Sequence, residues 1–215
     1  MKNRLKKAAG ALLSEAGQDE CSLAEKALKD WGINYEKKQD GTLFVPGDLN
    51  ISNKGLTQLP DLTSVSVGGN FWCGSNRLTS LEHAPQSVGG GFYCDNNQLT
   101  SLEYAPATVG GDFHCYNNRL TSLEHAPQSI GGDFYCYHNR LTSLEGAPQK
   151  FKKLNSDLGE FTSWNDVPEE LRISPETKAR IEQERERSFT HGATVLQQRM
   201  NIRRPLQLKK SAALL

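Results

Sequence analysis

Four cysteines recur at a single phase, Cys73, Cys94, Cys115 and Cys136, each 21 residues after the last. Thiols in register could form a metal or redox ladder. A metal site, however, needs ligands converging on one point, with short spacings such as Cys-x-x-Cys. The chain has no such spacing, and a stacked column sets neighbours along a line instead. The expectation is four small apolar core fillers. Nucleophilic chemistry needs a thiol or hydroxyl beside an oriented base. His114 adjoins Cys115, but strand alternation sends them to opposite faces. No phosphate-cradling loop or zinc-protease motif occurs. No catalytic, cofactor-binding or metal-ligating residue is assigned, and the chain is read as a non-enzyme.

Recognition is the other chemistry in the pattern. Between each phenylalanine (71, 92, 113, 134) and its cysteine sit Trp72, Tyr93, His114 and Tyr135. One step past the cysteines come Gly74, Asp95, Tyr116 and Tyr137; one step before the phenylalanines come Asn70, Gly91, Asp112 and Asp133. If Phe and Cys point inward along a strand, these positions point outward. They form an aromatic stripe edged with carboxylates. Such aromatics with a polar handle are enriched at interfaces. Stacked rings could also do no more than support neighbouring strands, or lie under a cap. Binding is the reading favoured, through Trp72, Tyr93, His114, Tyr135, Tyr116, Tyr137, Asp112 and Asp133. A sugar could use the same rings, but another protein is the expected partner.

The elements that hold these residues repeat. Leu-Thr-Ser-Leu-Glu begins at Leu78, Leu99, Leu120 and Leu141, in phase with Asn76, Asn97, Asn118 and Asn139. A weaker copy starts at Val45 and a degenerate one near Phe151, giving five repeats and a fading sixth. The unit from Phe92 to Leu102 fits most of the pattern L-x-L-x-x-N-x-L-x-x-L. Phe92, Cys94, Leu99 and Leu102 are expected inside. Asn97 is expected to turn the chain and bond to backbone groups stranded by the bend. Residues 45–160 thus resemble the leucine-rich repeats of bacterial and phage proteins built on Leu-Thr-Ser-Leu-Glu-x-Ala-Pro and Val-Gly-Gly-x-Phe units. One departure is that the leucine expected three residues before Phe92 is Gly89, with Val88 one place earlier. The Gly-Gly pairs are read as a bend leading into each strand.

The resemblance implies an α+β repeat solenoid, a short leucine-rich-repeat array of parallel strands that binds protein through its strand-side face. It also implies a bacterial or phage origin. Similar arrays in some pathogenic bacteria serve as ubiquitin ligases, but they carry a large separate catalytic domain with its own cysteine. The 44 residues after Leu171 contain no cysteine. A secreted effector acting on host proteins is the alternative reading.

A repeat cannot bury its apolar face alone, so the ends need caps. Residues 1–44 are read as a helical N-terminal cap plus hairpin. Leu5, Ala8, Ala9, Leu12, Leu13 and Ala16 make one apolar helix face. Ser22 and Glu25 form a capping box for a second helix ending at Trp31-Gly32. Asp40-Gly41 turns a hairpin into the first repeat. Residues 45–171 are the solenoid with its C-terminal cap, closed by residues 164–171. Residues 172–215 are a charged helix from Pro175 to about Ser188, then a basic tail expected to stay flexible from Phe189 onward.

Composition agrees with a narrow core: apolar residues are 36% of the chain, against about 45–50% in ordinary domains. Lys plus Arg and Asp plus Glu both number 25, so no net field steers the chain. The charges are unevenly placed, with 4 basic and 7 acidic residues over 67–150 but 10 and 4 over 172–215. Nucleic-acid association through Arg199, Arg203, Arg204, Lys209 and Lys210 would be weak and salt-sensitive. No apolar run approaches the ~18 residues of a membrane span, and membrane insertion is not expected. The apolar stretch near the N-terminus is too short for a secretory signal. With that and the odd fifth thiol, Cys21, the expected setting is a reducing cytoplasm. Export by a non-classical bacterial route or injection into a host is the alternative. No cofactor is called for, and oligomeric state is left open.

Overall fold

The computed structural model describes the backbone of residues 23–203 and the side chains of residues 23–189. The apolar face over residues 5–16, Ser22 of the capping box and the basic tail beyond Arg203 lie outside the described residues. The described chain divides into two compact units after Arg172.

The first unit opens with a helix, α1, over residues 23–30. It ends in the hydrogen-bond pair expected of a left-handed stop. Ile33 N–H donates to Leu28 at 2.9 Å and Gly32 N–H to Lys29 at 3.0 Å, with Gly32 at φ +67°. Ala24 and Leu28 are the buried face of α1. The hairpin follows: β1 (Glu36–Lys37) pairs antiparallel with β2 (Leu43–Val45). The Asp40 carboxylate accepts from the N–H and hydroxyl of Thr42, which sets the turn.

From β2 onward the chain winds as a parallel β-solenoid of about five coils. Each coil carries two short strands, where the sequence pattern suggested one. The first strands are β4 (Val65–Val67), β6 (Ser87–Val88), β8 (Thr108–Val109) and β10 (Ser129–Ile130). With β2 and β1 they form one sheet. The second strands are β3 (Leu49–Asn50), β5 (Phe71–Trp72), β7 (Phe92–Tyr93), β9 (Phe113–His114) and β11 (Phe134–Tyr135). They stack in a second sheet, closed by the hairpin β12 (Leu154–Ser156) and β13 (Gly159–Phe161). After β2, which the hairpin reading anticipated, the first strands of the coils escaped the sequence, because pairs such as Ser87-Val88 are too short to show alternation.

The Gly-Gly pairs are the corner between the two strands. At Gly110 an added Cβ would overlap the carbonyl oxygen of Gly89, and at Gly131 that of Gly110. Only a residue without a side chain lets the backbones of neighbouring coils approach this closely. The third side of each coil is the Leu-Thr-Ser-Leu limb. Leu78 and Leu81, and their equivalents Leu99, Leu102, Leu120 and Leu123, are fully buried.

The second corner is the asparagine. Asn97 Nδ2 donates to the carbonyls of Cys94 in its own coil and Cys73 in the coil before, both at 3.1 Å. Its Oδ1 accepts from Leu78 N–H at 2.9 Å. Asn118 and Asn139 repeat the same three bonds one and two coils on. Asn76 does likewise to the weaker first coil, accepting from Lys54 and Leu56 and donating to Ile51. Beyond the last full coil, two 3-10 turns (Trp164–Asp166 and Glu169–Leu171) place Val167 in the core. Leu144 N–H donates to the Leu171 carbonyl.

The second unit contains α2, Pro175–Arg203. Ser174 Oγ accepts from Thr177 N–H and Pro175 sits at the first helical position. The helix continues well past Ser188, which corrects the expected flexibility from Phe189: residues 189–203 are helical. Pro205 is the next residue that opposes helix, and it disfavours helical geometry just before itself. Gly192 costs only about 1 kcal/mol. Among the described residues no helix is long and apolar enough to cross a membrane.

Asn118→Ala strands two carbonyls and one N–H at the corner. It should lower unfolding free energy by at least ~1–3 kcal/mol in a denaturant titration. Gly110→Ala should also lower Tm, by about 2–4 °C for each kcal/mol of overpacking. Gly47→Ala, where an added Cβ meets nothing, should leave Tm in place.

Candidate functional site

Strict register carries each column straight through the sheet. Phe71, Phe92, Phe113 and Phe134 pair in turn. They lie inside, fully buried, with ring centroids 5.2, 5.3 and 5.7 Å apart. The next residue of each strand is turned outward, so Trp72, Tyr93, His114 and Tyr135 are brought together. Trp72 and Tyr93 stack at 3.7 Å with planes 6° apart. His114 stands edge-on between Tyr93 and Tyr135, 4.6 Å from each. A second row runs alongside. Tyr116 and Tyr137 stack at 4.7 Å, and join the first row through His114–Tyr116 and Tyr135–Tyr137 contacts. His138, not singled out in the sequence, adds a seventh ring edge-on to Tyr137. Six of the seven rings are half-buried and His138 is exposed.

The column before the phenylalanines is partly a ladder of its own. Asn70 N–H donates to Asp48 Oδ1 at 2.7 Å, Gly91 N–H to Asn70 Oδ1 at 2.6 Å, and Asp133 N–H to Asp112 Oδ1 at 2.8 Å. Asp112 therefore braces the next coil as well as facing out. Gly91 interrupts the ladder for a visible reason: a Cβ there would run into the Tyr93 ring. The missing side chain makes room for Tyr93 to lie flat under Trp72.

The field over these rings is negative. Burial raises the Tyr93 phenol, helped by the charges of Asp112 and Asp48. Burial and neighbouring Asp95 push Tyr116 up to about 12. The Tyr135 hydroxyl donates to Asp133 Oδ2 at 3.0 Å, and that bond is the main reason its pKa rises. His114 moves the other way. Burial lowers its pKa although Asp95, Asp112 and Asp133 all act to raise it. Its Nε2 is buried without a hydrogen-bond partner. Among the described residues, the cation that acts on Tyr135 is Lys153, paired with Glu160 at 2.8 Å.

The thiols face away. Cys73, Cys94, Cys115 and Cys136 are free and fully buried behind the sheet. Burial raises all four well above the ordinary thiol range, which suppresses the nucleophilic thiolate. His114 and Cys115 lie on opposite faces, as alternation required. Cys21 is outside the described residues.

Other columns serve the coil. His83, Tyr104 and His125 occupy one tight turn at φ +71°, +68° and +66°, where Gly146 stands in the next coil. Among the described residues no three His, Cys, Asp or Glu side chains gather around a metal-sized point. Arg77, Arg119 and Arg140 form one exposed column and Glu82, Glu103 and Glu124 another. Among the described residues no ion pair joins them. Arg and Glu stand five positions apart along the outer limb, up to roughly 17 Å at full extension.

His114 yields a pH prediction. Its folded pKa lies below the ordinary 6.5, so the unfolded chain binds the proton more readily. Its contribution to stability is complete above pH 6.5 and is lost as pH falls through the folded value. Between pH 7 and pH 5 the wild-type Tm should fall more than that of His114→Asn; equal slopes would contradict the assignment.

Compared with known proteins, the chain matches no family model, no curated protein and no solved structure.

Proposed function

We propose that this protein is a non-catalytic binding module that recognises another protein through the aromatic face of the second sheet. The observation that carries the reading is the continuity of the face. Seven rings across four coils contact one another, and six of them are only half-covered. Strand pairing alone does not call for them. In the same column and the same register, Asn50 pairs with Trp72 at one end and Asn155 with Tyr135 at the other. The strands therefore also pair where this position is polar, and the rings are confined to the middle coils. Large aromatics held rigid by their neighbours lose little conformational entropy on binding. The kinship with leucine-rich repeats of bacterial or phage type belongs to the same proposal. It is supported by the inward Phe and Cys, the corner asparagines and the buried limb leucines, all in the positions that repeat pattern assigns.

Alanine at Tyr93, His114 and Tyr135 together should abolish capture of the partner from lysate. Because the rings also stack on one another, this variant should lose about 1–3 kcal/mol of stability while keeping its circular dichroism spectrum. Lysine at Ser66 and Ser87, on the other sheet, should leave capture intact. Undiminished capture by the alanine variant would remove the function from this face.

A further inference from the structure

The aromatic face also bears on the chemistry of its partner. We infer that it receives a basic segment: an extended stretch of another protein whose Lys or Arg side chains lie against the rings and reach the carboxylates. This rests on the protein-binding reading above.

Charge complementarity carries the inference. The charges acting on the rings come from Asp48, Asp95, Asp112 and Asp133. The cation among them, Lys153, is held by Glu160 at the margin. At the centre, burial of His114 disfavours its charged form. The carboxylates are only partly engaged. Asp112 accepts one backbone N–H, Asp133 accepts the Tyr135 hydroxyl, and Asp95 accepts from Asn96 and also engages the Tyr116 hydroxyl. A carboxylate has about four acceptor positions, so each keeps capacity for a donor arriving from outside.

Three kinds of partner segment can be ranked on this basis. An acidic segment meets like charges. A neutral one covers Asp95, Asp112 and Asp133 without replacing the water they lose, which is costly. A cationic one gains twice, because ring faces attract ammonium and guanidinium groups and carboxylates accept their N–H donors in charge-assisted bonds. Arginine fits best, since its plane stacks on an aromatic ring while its fork reaches a carboxylate. The row from Trp72 to Tyr135 crosses four strands, about 14 Å at the usual spacing, which an extended segment of about five residues covers.

The test is an array of random octapeptides probed with the full chain at 0.15 M salt, beside an oligosaccharide array. Bound peptides should be enriched in Arg and Lys and depleted in Asp and Glu. The strongest should bind the Asp95→Asn/Asp112→Asn/Asp133→Asn variant at least tenfold more weakly. Asp95→Asn alone, at a position outside the backbone ladder, should already weaken them. Peptides bound without regard to charge, or basic peptides bound equally by the folded variants, overturn the inference and leave the protein-binding reading standing. Retention of no peptide by the folded chain also overturns it. Binding to oligosaccharides instead of peptides overturns both.

Discussion

One amide side chain per coil, at the corner after the cysteine, is the interaction on which the rest of this structure depends. Asn97 ties the carbonyls of Cys73 and Cys94 and the amide of Leu78 to a single group. It closes its own coil and fastens it to the one before. The bend would otherwise bury backbone groups that no strand can satisfy. Because Asn76, Asn118 and Asn139 do the same work, each coil is locked to its neighbour in one register. A slip by a single residue would send every phenylalanine outward and every ring of the face inward.

That lock separates the inside of the sheet from its outside. The inward column must fill a narrow, dry space, and it is nearly uniform: four phenylalanines, then four cysteines, then pairs of leucines. The outward column is free of that demand and varies from Asn50 through Trp72, Tyr93, His114 and Tyr135 to Asn155. Where it needs room the neighbouring columns yield, as Gly91 does beneath Tyr93. The aromatic face is thus a surface whose chemistry can be chosen residue by residue without disturbing the core.

Much of this was legible in the chain because the repeat states each column four times. The inward Phe and Cys, the corner asparagine and the outward rings all follow from a period of 21 combined with strand alternation. Beyond β2, the first strand of each coil was not legible, since Ser87-Val88 or Thr108-Val109 shows no alternation and pairs with the backbone of a neighbouring coil. His138 was missed for a related reason. It sits at a left-handed corner position occupied by Asn96 and Asn117 in the coils before, and only the turn brings its ring against Tyr137. The bracing role of Asp112 was hidden because a carboxylate facing solvent and one accepting from the next coil look alike in sequence. The extent of α2 was missed because a basic stretch with no acids and only scattered apolar residues beyond Ser188 suggested flexibility, whereas the next helix breaker is Pro205.

The corner lock also makes the molecule countable. Since every column repeats at 21 residues, a stretch of that length can in principle be lost or gained by recombination between near-identical units with each surviving coil still meeting a compatible neighbour. The product is a shorter or longer version of the same ruler, its recognition surface changed by one graduation of about 4.8 Å. Evolution of such a protein need not search for new folds to fit a longer or shorter partner. It can adjust its reach in whole steps, and then change the marking on each step through the outward column alone.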